Sequence, residues 1–118
     1  MNHKNLFTQV LTTEAQALER AAQNFEGKTA DQLVSLFEVL AATGGSLIIS
    51  GVGKSGHIAA KIAATFSSLG LPSFFLHPTE AMHGDLGRVT KSDSIVLISK
   101  SGTTEELLNM LPYVSVPK

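Results

Sequence analysis

The sequence predicts an α/β protein, a three-layer α/β/α sandwich built on a parallel sheet and preceded by N-terminal helices. Three observations carry that expectation. Short apolar runs at Leu47-Ile48-Ile49, Phe74-Phe75-Leu76 and Ile95-Val96-Leu97-Ile98 alternate with segments of helical spacing. Two of those runs end in small-residue turns rich in glycine and hydroxyls, Ser50-Gly51-Val52-Gly53-Lys54-Ser55-Gly56 and Ser99-Lys100-Ser101-Gly102-Thr103-Thr104. Glycine or proline punctuates the joints at Gly27, Gly44-Gly45, Gly70, Pro72 and Pro112.

Residues 6 to about 24 have helical periodicity, with Phe7, Val10, Leu11, Leu18, Ala22 and Phe25 on one face and Gly27 as the stop. Thr29-Ala30-Asp31-Gln32 has the capping-box pattern and opens a second helix that buries Leu33, Leu36, Phe37 and Leu40 before Gly44-Gly45. These two helices either cover the sheet or pack on a sister subunit. The first strand spans residues 46–50. A helix follows from about 55 to 69, with Ile58, Ile62, Ala63, Phe66 and Leu69 as its apolar stripe; Gly70 closes it and Pro72 prevents continuation. Residues 73–76 form the second strand, and the polar stretch 77–88 holds one short helix. The third strand spans 94–99, and a last helix runs from about 104 to 111, with Pro112 and Pro117 at or beyond its end. Residues 1–45 thus read as a helical segment and 46–118 as one α/β unit.

A chain of 118 residues has room for one core, and its 43% hydrophobic and 16% charged content suits a globular domain. The net charge of −1 gives no basic field for nucleic acid. No apolar run reaches the ~20 residues of a membrane helix, and the first residues lack the apolar core of a signal peptide. There is no cysteine, so disulfides and thiolate metal sites are excluded. The cytoplasm is the expected location.

Both turns sit where a strand gives way to a helix, whose first N–H groups lack intrahelical partners and carry the positive end of the dipole. An anion suits such a place. Gly51-Val52-Gly53-Lys54-Ser55-Gly56 matches G-x-G-x-x-G, but the next strand ends Phe75-Leu76-His77, without the acid that a dinucleotide ribose requires. A P-loop fails because Ile48 stands where its first glycine belongs. The plain reading of the glycines is a sharp turn, yet Lys54 inside it points to an anion or a polarised oxygen. Ser99, Ser101, Thr103 and Thr104 put four hydroxyls in six residues, a setting for a phosphate monoester; the plain alternative is a helix cap by Thr103 or Thr104. The stretch His77-Pro78-Thr79-Glu80-Ala81-Met82-His83-Gly84-Asp85 gathers two histidines and two acids. Zinc held by His77 and His83 is one reading; proton shuttling or hydrogen bonding to a sugar hydroxyl is the favoured one. Glu105 and Glu106 open the last helix, where the dipole favours carboxylates, and either could act as a base.

These residues resemble the D-arabinose 5-phosphate isomerases, enzymes of the sugar isomerase (SIS) domain family. The resemblance rests on Gly51-Val52-Gly53-Lys54-Ser55-Gly56-His57, Pro72-Ser73-Phe74-Phe75-Leu76-His77-Pro78, Glu80-Ala81-Met82-His83-Gly84-Asp85-Leu86-Gly87 and Ser99-Lys100-Ser101-Gly102. It implies a flavodoxin-like SIS fold and interconversion of D-ribulose 5-phosphate and D-arabinose 5-phosphate, the first step toward the Kdo sugar of lipopolysaccharide. It places the catalytic groups on Lys54, His83 and Glu106, and the substrate and phosphate contacts on Gly53, Ser55, Ser99, Ser101, Gly102, Thr103 and Thr104. Family members are typically homotetramers with sites at subunit interfaces. They have a second half of the SIS domain, with a further glutamate and histidine, and many carry a CBS pair. The chain therefore reads as the N-terminal portion of an SIS domain, and a complete site is expected to need the rest.

The chemistry is a proton transfer between C1 and C2 through a cis-enediol. It needs a base, groups that polarise the carbonyl and a remote phosphate anchor, but no cofactor. The rival readings are a regulatory SIS module that binds a phosphosugar without turning it over, and, ranked lower, a dinucleotide-binding domain.

Overall fold

The computed structural model describes residues 2–114. They divide into two units, the first ending at Ser35 and the second beginning at Leu36.

In the first unit, α1 (His3–Gln23) starts at Asn2, whose side chain accepts from the Lys4 N–H. Its apolar residues, Phe7, Leu11 and Leu18 among them, are exposed. Next comes α2 (Gly27–Thr43), which crosses into the second unit. It begins two residues before the expected capping box: the Thr29 and Ala30 N–H groups already bond to the Glu26 carbonyl, which puts Thr29 inside the helix and makes Gly27 a start rather than a stop. Of the four residues expected to be buried on α2, only Leu40 is; Leu36 is half-buried, and Leu33 and Phe37 are exposed.

The second unit holds β1 (Leu47–Gly51), α3 (Lys54–Ser68), β2 (Ser73–Phe75), α4 (Pro78–Ala81), a 3-10 turn (Asp85–Arg88), β3 (Ser94–Ile98), α5 (Glu105–Met110) and a second 3-10 turn (Leu111–Tyr113). The 77–88 stretch thus folds into two short helical pieces, not one. Pro112 sits inside the terminal 3-10 turn, where its missing N–H costs nothing; Pro117 lies outside the described residues. The strands are parallel in the order β2–β1–β3, with Ile48 opposite Phe74 on one side and Ile95 on the other. The Leu76 N–H extends the ladder by donating to the Ile49 carbonyl.

Alternation along β1 splits the core. Ile48 packs with Leu76, Ala81, Ile95, Leu107 and Met110 on the face carrying α4 and α5. Leu47 and Ile49 pack with Leu40, Ala59 and Ala63 on the face carrying α3. This is the expected three-layer α/β/α arrangement. The stripe of α3 holds in part: Ala63 is buried and Ile62 and Phe66 pack against the core, whereas Ile58 and Leu69 are exposed and Gly56 and Ala59 are buried beside Ala63. Small side chains let the helix lie close on the sheet, so its larger residues flank the contact. The two strands that enter side by side are tied by Asp93, 5% exposed, whose carboxylate accepts from the Ser46 and Thr90 N–H groups, each at 2.7 Å. No helix among the described residues is long and apolar enough to cross a membrane.

Candidate functional site

The strand order creates a switch point. From β1 the chain crosses by α3 to β2 on one side, then returns past β1 to β3 on the other, and α5 lies on the face opposite α3. Adjacent crossovers that diverge to opposite faces leave a crevice beyond the C-terminal ends of the two strands, where open α/β sheets bind ligands. Gly51 pairs in register with Ile98, so the two glycine- and hydroxyl-rich turns leave the sheet side by side on the same edge.

The first turn uses its glycines for different ends. A Cβ on Gly51 would lie 2.8 Å from the Ser55 carbonyl carbon, and one on Gly56 would lie 2.7 Å from the Gly51 carbonyl oxygen. These two glycines let the strand end touch the helix start. Gly53, at φ 61° and ψ −128°, reverses the chain in a conformation that side chains disfavour. It caps α3 without a side-chain bond, and the first intrahelical bond runs from the His57 N–H to the Gly53 carbonyl. The N–H groups of Lys54, Ser55 and Gly56 therefore have no intrahelical partner. Lys54 is exposed at the first helical position and Ser55 is half-buried next to it. A cation there opposes the helix dipole, a placement that function explains better than stability does. Behind the turn, Gly53, Gly56, His57, Ala60, Phe75 and His77 line a cavity of about 250 Å³.

The second turn is a hydroxyl network. Ser99 Oγ lies 2.7 Å from Thr104 Oγ1 and accepts the Gly102 N–H at 3.0 Å. Ser101 Oγ accepts the Thr103 N–H at 3.1 Å and the Thr103 hydroxyl at 3.0 Å. Gly102 carries the turn at φ 72°. The plain alternative, a capping hydroxyl, is not what the loop does: Thr104 is the cap residue of α5 but makes no side-chain cap bond. Ser99, Gly102 and Thr104 instead line a cavity of about 290 Å³ with Leu97, Leu107, Leu108 and Leu111.

Both glutamates of α5 are exposed. Leu107 and Met110 point into the core. At about 100° per residue, Glu105 falls nearly opposite that buried direction and Glu106 about 70° from it. Glu106 therefore lies on the flank of α5 and Glu105 on its outer side.

His77 and His83 flank α4. His77 is half-buried, stands edge-on to Phe75 with ring centroids 6.1 Å apart, and caps α4 by accepting the Thr79 N–H on Nδ1 at 3.1 Å. His83 is exposed, with Nδ1 2.7 Å from the Thr79 carbonyl. The acids of this stretch do not join them. Asp85 pairs with Arg88 at 3.9 Å, and Arg88 also lies 4.2 Å from the Phe74 ring centre. Among the described residues no three His, Asp or Glu side chains gather into a metal-binding set, so the zinc reading at His77 and His83 gains no support from this geometry. Sequence reasoning did not find the cap made by His77, although Pro78 just after it, at a first helical position, was the available signal. It also missed Asp93, which reads as one more polar loop residue until its two bonds are seen.

The sequence pattern of the SIS domain matches residues 40–116, most of the chain. The chain belongs to the SIS domain family. Curated relatives of this SIS chain include arabinose 5-phosphate isomerase KdsD of Pseudomonas aeruginosa, 46% identical over 98 residues, covering 82% of this chain and 30% of the relative. Arabinose 5-phosphate isomerase KpsF of Escherichia coli O6:H1 is 42% identical over 104 residues, covering 88% of this chain and 31% of the relative. The chain thus spans about a third of the length of the curated relatives it matches. Among solved structures, the ligand complex of c3406 of Escherichia coli CFT073 superposes with a TM-score of 0.81 at 45% identity, over 96% of this chain and 60% of that one. The flavodoxin-like SIS expectation for the fold therefore holds for the part present.

Proposed function

We propose that the protein containing this SIS chain interconverts D-ribulose 5-phosphate and D-arabinose 5-phosphate through an enediol, as the first step of Kdo and lipopolysaccharide biosynthesis. The observation that carries the reading is the switch-point crevice, with a lysine-bearing helix start on one side and a four-hydroxyl turn on the other. The names of the relatives agree with it.

In this reading the dianionic phosphate takes the donors of both turns: backbone N–H groups after Gly53, and the hydroxyls of Ser55, Ser99, Ser101, Thr103 and Thr104, with Gly102 letting the backbone approach. Anchoring the phosphate holds C1 and C2 at the reacting end, where orientation lowers the barrier. Lys54 polarises the sugar oxygens. His83 and Glu106 handle hydroxyl protons, and a glutamate from the family's second half takes the carbon-bound proton. Proton transfer alone closes the reaction, so no cofactor enters it. Whole protein incubated with D-ribulose 5-phosphate should yield D-arabinose 5-phosphate, measured by chromatography of the sugar phosphates. Saturable binding of the pentose phosphate without turnover would replace this reading with that of a regulatory module.

The same reading carries a cytoplasmic location and a homotetramer with sites between subunits. The exposed apolar residues of α1 are the surface such an assembly would use. Light scattering should give a tetramer for the whole protein and a smaller species for Phe7→Glu with Leu11→Glu. An unchanged mass in that variant would remove α1 from the assembly.

A further inference from the structure

The backbone of one residue, Thr79, meets two histidines through its two polar groups. The N–H of Thr79 points at His77 Nδ1, 3.1 Å away, and an N–H can only donate, so that ring nitrogen carries no proton. The carbonyl oxygen of the same residue lies 2.7 Å from His83 Nδ1, and a carbonyl can only accept, so that nitrogen carries one. A neutral imidazole has a single N–H. We infer that α4 is a tautomer-setting device: His77 offers an Nε2–H donor and His83 an unprotonated Nε2 acceptor, both fixed through the backbone of Thr79.

The surroundings hold this arrangement in place. His77 is half-buried and packed edge-on to Phe75, and its cap bond fastens the start of α4. The backbone N–H of His83 donates to the Glu80 carbonyl at 3.0 Å, which fixes the residue while its ring reaches back to Thr79. Thr79 acts only through main-chain atoms, so it is a positioning residue whatever its side chain.

Two consequences follow for ligands. His83 can accept a hydrogen bond from a hydroxyl, or receive its proton, at Nε2, whereas His77 in its capping state can only donate there. A metal ion bound at His77 Nε2 would force the proton onto Nδ1, against the Thr79 N–H, and would cost α4 its cap. A polyhydroxylated ligand that reaches these rings would meet a donor at His77 and an acceptor at His83. Only this use of the pair rests on the isomerase reading; the tautomers themselves do not.

The test is a long-range proton–nitrogen correlation spectrum of the whole protein labelled with ¹⁵N-histidine, recorded in alkaline buffer. The chain has four histidines. His83 should give the Nδ1–H pattern, the tautomer that free histidine disfavours, and His77 the Nε2–H pattern. His83→Gln and His77→Asn assign the signals by their disappearance. Should either variant fail to fold, through-space contacts of the His77 ring with Phe75 and of the His83 ring with Thr79 assign the signals. An averaged or Nε2–H pattern at His83, or an Nδ1–H pattern at His77, overturns the inference. Fixed opposite tautomers in a protein that does not convert the pentose phosphate would leave the inference standing and sink the isomerase reading. Conversion with averaged tautomers would do the reverse.

Discussion

Gly45→Ala is expected to cost about 3 kcal/mol or more of stability, placing it among the severe single substitutions. A Cβ at Gly45 would stand 1.7 Å from the carbonyl oxygen of Ser92 and 2.4 Å from its carbon. Neither neighbour is a flexible side chain that could swing aside. The Ser92 carbonyl accepts the Thr43 hydroxyl at 2.9 Å, and the adjoining Asp93 holds the Ser46 N–H at 2.7 Å. Making room therefore breaks the bonds that bring β1 and β3 into register, not just one contact. Gly44→Ala is the internal comparison. Its φ of 68° is unfavourable for alanine, but a Cβ there meets nothing within 4 Å, so its loss should stay near the ~1–2 kcal/mol of a left-handed backbone. Urea titrations of the two variants check this. Equal losses would show that the strand entrance is looser than its geometry implies.

Lys54→Ala should lower kcat/KM for the pentose phosphate by about 10²–10³-fold, the usual loss when one donor to a developing oxyanion is removed. Lys54 is exposed, and the ion pair among the described residues is made by other groups, so the variant should fold as the parent does. The loss should fall mainly on kcat, because the phosphate anchors remain. Steady-state kinetics on the whole protein check the size, and circular dichroism the fold. A change smaller than about tenfold would remove Lys54 from the chemistry and leave it a solvated lysine.

Much of the site was legible because its signals are local. Glycine at 51, 53 and 56, and hydroxyls at 99, 101, 103 and 104, mark strand-to-helix turns through backbone sterics that neighbouring residues alone impose. Other expectations failed for equally physical reasons. The α3 stripe held at Ile62, Ala63 and Phe66, but Ile58 and Leu69 lie outside it, because close contact with the sheet is made at Gly56 and Ala59. The capping box at Thr29 matched in letters, but the Glu26 carbonyl had already started the helix. The alternative of a cap at Thr103 or Thr104, which ranked second, is not what formed: their hydroxyls bond to serines in the same loop.

By itself the sequence determined the alternation of strands and helices, the two turns and the family resemblance, because hydrophobic period and glycine placement are properties of short stretches of chain. Only the tertiary structure decided that the two turns share one edge, that Asp93 ties the entrances of two strands, and that His77 and His83 both turn Nδ1 to the backbone of Thr79. Those facts depend on strand order and on where individual backbone groups point, which are set when distant segments pack and their backbone groups find partners.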